Sequence, residues 1–242
     1  MKQLADLVLD TPTERRRYQT LLQTLAPLAP LVRGARVLDF GSAHGPSLCA
    51  LLELGAAQVV GVETDPERVE KGAKMLAVAG LTERAEIRWE RDTTCLPFPE
   101  GAFPLVLANA VLEHIPQPRD AFVRELWRLT APGGHLIVNE TPNRYLPLDS
   151  HTTGLLFVPW LPARLAERYA ALRGRHPGEE WSQCGWRGIG YFELVRPLSD
   201  YELVPEQSRA RHRLLHRLGI PASLLDPYPT WVLRRGRGAR GR

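Results

Sequence analysis

The chain has 242 residues, 44% hydrophobic and 24% charged, which is long for one ordinary domain and short for two. That balance excludes wholesale disorder, a collagen-like repeat and a disulfide scaffold, and no run approaches the ~20 apolar residues of a membrane span. The net charge of +4 is local: the last nine residues, RRGRGARGR, hold five arginines and no acid, so the remainder carries one net negative charge. Cys49, Cys95 and Cys184 are far apart and have no CxxC partner, so a reducing, cytoplasmic setting is expected. The segment MKQLADLVLDTPTERRR lacks an apolar run followed by small residues, and no signal peptide is expected.

Thr11, Pro12 and Glu14 predict a capped helix over 12–25, with Tyr18, Leu21, Leu22 and Leu25 on one face and Pro27 and Pro30 as its stop. RVLDF (36–40) is the first predicted strand, followed by a glycine loop and a short helix from Pro46 to before Gly55. AQVVGVE (57–63) is the second. The helix after Asp65-Pro66 places Val69, Ala73, Leu76 and Gly80 at spacings of 4, 3 and 4. AEIRWE (85–90) and PLVLANA (104–110) are the third and fourth strands. A helix over 118–130 carries Phe122, Leu126 and Leu129 on one face and Arg119, Asp120, Arg124 and Arg128 on the other. Pro132-Gly133-Gly134 should break the chain before HLIVNE (135–140), the fifth strand.

Strands alternating with amphipathic helices predict an α/β fold with a parallel sheet. The regularity then lapses over 145–200, an expected lid inserted after strand five, with a helix-like LPARLAERYAALRG and Trp160, Trp181 and Trp186. YELVPE, a helix SRARHRLLHRLG and a strand TWVLRR complete the chain. The expectation is one domain over 1–242, with a helical cap at 12–30 and a disordered basic tail at 234–242.

The loop Asp39-Phe40-Gly41-Ser42-Ala43-His44-Gly45 joins strand to helix, where glycines permit close backbone approach and the helix start favours an anionic group. A phosphate-binding loop needs a lysine, and only Lys2, Lys71 and Lys74 exist, none of them here. GSAHGPS does not supply the dinucleotide fingerprint G-x-G-x-x-G. The lysine shortage also forbids the Tyr-x-x-x-Lys pair of short-chain dehydrogenases.

The ordered runs VLDFGSAHG, VVGVETD and RDTTCLPFPEGAFPLVLANAVLEHIPQPRDAFVRELWRLTAPGGHLIV resemble the class I S-adenosylmethionine-dependent methyltransferases. Within that class they are most similar to the type 11, small-molecule branch that includes ubiquinone and menaquinone biosynthesis methyltransferases. The resemblance covers roughly residues 33–145. It implies a Rossmann-like, doubly wound, mostly parallel seven-stranded sheet and S-adenosyl-L-methionine as cofactor. It places Asp39, Gly41, Ser42, Ala43 and Gly45 around the methionine end, and Glu63, with Thr64, at the ribose hydroxyls. Asp92 and the Thr93 N–H fall at the adenine, and Asn109 and Ala110 under the sulfonium. Against these stand plainer roles: Asp39 as a tie for loop amides, Glu63 as a helix-cap neighbour, Asp92 as a turn residue. Three positions depart from the family pattern. Ala43 replaces a glycine, Pro104 an aspartate, and Ala110 the first carboxylate of the metal-holding E-x-x-E-H run of ubiquinone O-methyltransferases, so no metal is expected.

Methyl transfer from a sulfonium is an in-line displacement driven largely by alignment, and a hydroxyl acceptor also needs a base. His151 and His114, both on predicted loops, are the candidates. A lid anchor and a loop hydrogen bond are their plainer roles. His212 and His216 have metal-pair spacing but read as a basic helix face. Phe157, Trp160, Trp181, Trp186 and Tyr191 form either an aromatic acceptor pocket or the lid's own core, and Arg144 either holds an anionic acceptor or lies at the surface. The expected partner is a small-molecule acceptor, methylated at oxygen, with no nucleic acid and no membrane span. The alternatives are an RNA or protein methyltransferase and a non-catalytic cofactor-binding scaffold. The sequence leaves the oligomeric state open.

Overall fold

The apolar face of the first helix is the first feature the computed structural model bears out: Pro12–Leu25 (α1) buries Tyr18, Leu21 and Leu25. The structure describes residues 12–178, 180–204 and 226–237. Thr11 of the expected capping box, the side chain of Glu14, the predicted helix bearing His212 and His216, and residues 238–242 of the predicted tail lie outside them. Pro27 and Pro30 do not stop the helical path. Each sits in the first turn of a new short element, a 3-10 turn at Ala26–Leu28 and a helix at Ala29–Val32 (α2), where a missing N–H costs nothing.

The remaining elements are β1 (Arg36–Phe40), α3 (Pro46–Glu53), β2 (Gln58–Glu63), α4 (Pro66–Val78), β3 (Ala85–Trp89), β4 (Phe103–Asn109), α5 (Asp120–Leu129), β5 (Thr130–Asn139), α6 (Ala163–Leu172), α7 (Tyr191–Val195), β6 (Tyr201–Leu203) and β7 (Trp231–Arg235). The strands form a seven-stranded sheet in the order β3-β2-β1-β4-β5-β7-β6. One strand runs antiparallel, so the sheet is mixed but of the expected α/β class. Strand β5 begins at Thr130, straight after α5. The Pro132-Gly133-Gly134 run does not delay it, because Pro132 falls near the strand's start and Gly133 bends the chain with φ +78°.

The chain divides into two compact units: Met1–Leu107 with Glu125–Leu136 and Arg234–Arg242, and Ala108–Arg124 with Ile137–Leu233. In the first, β1 pairs in parallel with β2 (Asp39 opposite Gly61), and β2 with β3 (Glu63 opposite Trp89). Val37, Leu38, Val59 and Val60 are fully buried, each such side chain contributing about 1.5–3 kcal/mol. Helix α4 buries Gly72, Met75 and Leu76, whereas the predicted stripe member Ala73 is exposed and Gly80 lies beyond the helix. The helix packs on its glycine. A Cβ at Gly72 would stand 2.3 Å from Ile87 Cδ1, so the closest point of contact is the position with no side chain to read. Arg234 and Arg235 belong to β7, not to a tail. The Arg235 guanidinium donates to the carbonyls of Trp127, Arg128 and Thr130 and pairs with Glu100.

The second unit has its own apolar cluster of Val158, Ala166, Ala170, Trp181, Cys184 and Trp186. Trp181 and Trp186 stack with ring centroids 5.2 Å apart, which makes them core, whereas Trp160 and Phe157 are about half exposed. Arg119, predicted on a polar face, is buried. It donates to the carbonyls of Ile115 and Gly188 and forms an ion pair with Glu193 at 3.1 Å.

Candidate functional site

In the first unit β1 ends at Phe40 and the chain turns through Gly41–Gly45 into α3, whose N-cap is Gly45. Gly41 and Ser42 donate their N–H groups to Val62 O (2.9 and 3.1 Å), and Gly45 donates to Ser42 O (2.9 Å). These amides are used within the fold, so what the loop offers a ligand is carbonyl oxygens and close backbone approach. Ala43 takes φ +49°, a left-handed conformation that explains why glycine is usual there. Asp39 is buried and accepts from the Ser47 hydroxyl. Burial, against that hydrogen bond and reinforced by the nearby Glu63 charge, pushes its carboxyl up to about 7.

Glu63, also buried, is the knot of the site. Oε2 accepts from Ala43 N–H (2.9 Å), while Oε1 accepts from Thr64 N–H (2.8 Å) and Asp65 N–H (3.0 Å). The carboxylate therefore ties the β1 loop to the end of β2, and its oxygens have further acceptor capacity. Thr64 adds its hydroxyl to Oε1 at 3.2 Å, and its carbonyl accepts from Trp89 Nε1. Asp65 caps α4 as expected, accepting from Glu67 and Arg68 N–H. Asp92 is exposed and closes a turn on Thr94, whose hydroxyl and N–H donate to Oδ1 and hold the carboxyl below its ordinary range. Thr93 is buried.

Asn109 and Ala110 belong to the second unit. Asn109 Oδ1 accepts from Asn139 at 2.7 Å, its Nδ2 donates to Glu140 at 3.2 Å, and Ala110 N–H donates to Asn139 O. Ala110 (φ +49°) and Glu140 (φ +55°) both take left-handed backbone conformations, so the chain turns sharply at the ends of β4 and β5.

The same unit brings His114 and His151 together, ring centroids 5.5 Å apart, with Glu113 as a third member. Glu113 is 1% exposed. Its Oε2 accepts from Thr141 Oγ1 (2.9 Å), Oε1 is buried without a partner, and burial raises its carboxyl above the usual range. Burial, and secondarily the neighbouring His114, lowers His151 below the ordinary imidazole range. The sequence reading counted a metal out because Ala110 lacks a carboxylate. It had no way to see that His151 arrives beside Glu113 and His114 from a distant loop.

A cavity of about 980 Å³ in this unit is lined by Arg119, Arg144, Tyr145, Trp160, Phe192, Glu193 and Arg196, among others. Its charges are mutually satisfied: Arg119 and Arg144 both pair with Glu193, and Arg196 pairs with Asp120. Arg144 is thus part of an internal ion-pair network.

Residues 38–138 match the family described as methyltransferase domain. Over that segment the chain is similar to methyltransferase domains, and its fold is shared with solved S-adenosylmethionine-dependent methyltransferases. S-adenosylmethionine is the cofactor that this likeness implies. Two relatives show how far the likeness reaches. An uncharacterized methyltransferase of Mycobacterium sp. (strain KMS) is 34% identical over 149 residues, 61% of this chain and 54% of that protein. The ribosomal protein L11 methyltransferase of Pelobacter propionicus is 32% identical over 119 residues, 49% of this chain and 36% of that one. The chain thus spans about half or less of the length of these relatives. The geranyl diphosphate C-methyltransferase of Streptomyces coelicolor A3(2), solved with Mg2+, geranyl-S-thiolodiphosphate and S-adenosyl-L-homocysteine, shares the fold. It has a TM-score of 0.56 over 91% of this chain and 75% of that one, at 15% identity.

The residues of the matched segment suit that cofactor. Two buried carboxylates, Asp39 and Glu63, form an acidic setting for a ligand that carries positive charge. Ser42 Oγ is buried without a partner.

Proposed function

We propose that the chain transfers a methyl group from S-adenosylmethionine to a hydroxyl of a small molecule, in the cytoplasm. The cofactor supplies a methyl carbon already activated by a sulfonium. Glu63 accepts from the ribose hydroxyls, Asp39 faces the positively charged methionine end, and Thr93 N–H meets the adenine ring with Asp92 beside it. The family pattern assigns Asn109 and Ala110 to the sulfonium.

The observation that carries oxygen as the acceptor atom is the Glu113–His114–His151 cluster. A hydroxyl must lose a proton as it attacks, and His151, held toward its neutral form, has a lone pair for that task. Cys49, Cys95 and Cys184 are free thiols, which fits a reducing compartment. No helix among the described residues is long and apolar enough to cross a membrane. Arg235, at the start of the terminal arginine run, is engaged within the fold, which speaks against that residue as part of a nucleic-acid arm.

The test is transfer of a trideuteriomethyl group from labelled S-adenosylmethionine to a panel of phenols, catechols, aliphatic alcohols, ribosomal proteins and RNA, read by mass spectrometry. Label should appear on a small-molecule oxygen. Label on carbon, or only on protein or RNA, contradicts the proposal.

A further inference from the structure

We propose that Glu113, His114 and His151 form a binding site for a divalent transition-metal ion. One ligand atom from each residue lies within 4.8 Å of the other two. Two metal–ligand bonds of about 2.0–2.1 Å span at most about 4.2 Å, so each side chain moves less than about one ångström to close on an ion.

The surroundings are built for that closure. Glu113 presents a carboxylate oxygen, Oε1, that is buried and has no hydrogen-bond partner, while Thr141 holds the other. Leaving such an oxygen unmatched is costly, and a bound cation removes the cost. His114 Nδ1 lies 2.7 Å from Gln183 O. A carbonyl only accepts, so the proton sits on Nδ1 and Nε2 keeps its lone pair, the arrangement seen in metal-binding histidines.

His151 is fixed just as firmly. Asp149 accepts from the N–H groups of His151 (3.2 Å), Thr152 (3.0 Å) and Thr153 (2.8 Å), and Thr152 Oγ1 donates to Cys184 O at 2.6 Å. Gly185 follows in the same segment with φ +81°. A Cβ there would stand 2.7 Å from His151 Cδ2, 2.9 Å from His151 Nε2 and 3.3 Å from Glu113 Cγ. Glycine is what leaves room for the imidazole beside the carboxylate. Residues 183–185 thus orient both histidines.

Two imidazoles and one carboxylate favour Zn2+, Co2+, Fe2+ or Mn2+ over Mg2+ or Ca2+. Three protein ligands leave a position for an acceptor oxygen. This chemical role rests on the methyl-transfer reading. The ligated O–H releases its proton to water, the oxygen pair forms the C–O bond, and the S–C pair leaves on sulfur. The His151 lone pair then holds the ion and does not take the proton.

Titration of the chelator-stripped chain with Co2+, with neither cofactor nor acceptor present, tests the site. One ion per chain with visible ligand-field bands is expected, and Glu113→Gln and His151→Asn should each weaken binding by more than about tenfold. Circular dichroism and S-adenosylhomocysteine binding show whether each variant is folded. No Co2+ binding, or equal binding in folded forms of both variants, overturns the site. Donor binding and label transfer that persist in that case leave the methyl-transfer reading standing.

Discussion

His151→Ala is expected to lower methyl transfer by about 10²–10⁴-fold while leaving S-adenosylhomocysteine affinity unchanged. The imidazole belongs to the Glu113–His114 group, and its loss removes the lone pair that would take the acceptor's proton or hold the ion. The donor-side residues Asp39, Glu63 and Thr93 lie in another part of the chain and keep their partners. Steady-state turnover on an identified acceptor, with calorimetry on the product nucleoside, reads the two effects separately. Full turnover by His151→Ala would mean that alignment alone drives the transfer. The ion titration distinguishes a histidine acting as a base from one acting as a ligand.

Glu63→Ala should act on two quantities at once. Three backbone N–H groups, those of Ala43, Thr64 and Asp65, lose their acceptor, which costs about 1–3 kcal/mol of stability for the buried ones left unpaired. Loss of the charged acceptor at the ribose should weaken donor binding by roughly ten- to a hundredfold. Glu63→Gln, which keeps an oxygen but no charge, should fall between. Thermal melts establish the first effect, and calorimetry below the melting range the second. An unchanged affinity in folded Glu63→Ala protein would place the ribose elsewhere.

Much of the fold is legible because β1, β2 and β4 are short apolar runs that alternate with amphipathic helical segments, as buried parallel strands do. The first helix was legible for the same reason, since Tyr18, Leu21 and Leu25 share a helical face. Gly72 escaped because a packing contact made by a missing side chain has no hydropathy signal. Arg119 escaped because its burial depends on Glu193, 74 positions away. Trp160, Trp181 and Trp186 look alike as letters, but only the last two meet their stacking partners in the apolar cluster.

The site divides the same way. Glu63 was legible from the motif as a carboxylate at the end of a strand, but not as the tie between two loops. Glu113 and His114 match the E-x-x-E-H run but Ala110 lacks its first carboxylate, and spacing along the chain is a poor guide when the third group arrives from a separate loop. Asp149 and Gly185, which hold and accommodate His151, carried no motif at all. A glycine next to tryptophan and cysteine in an irregular stretch was the one local signal available.

The central claim is that this fold is built around S-adenosylmethionine, and ligand-dependent melting of the whole chain tests it most directly. S-adenosylmethionine or S-adenosylhomocysteine at about 100 times the dissociation constant should add about 2.7 kcal/mol of stability. For a chain of this size that raises the melting temperature by roughly 5–11 °C, whereas NAD at the same concentration should leave it unchanged. A rise with NAD and none with either sulfur nucleoside would contradict the account.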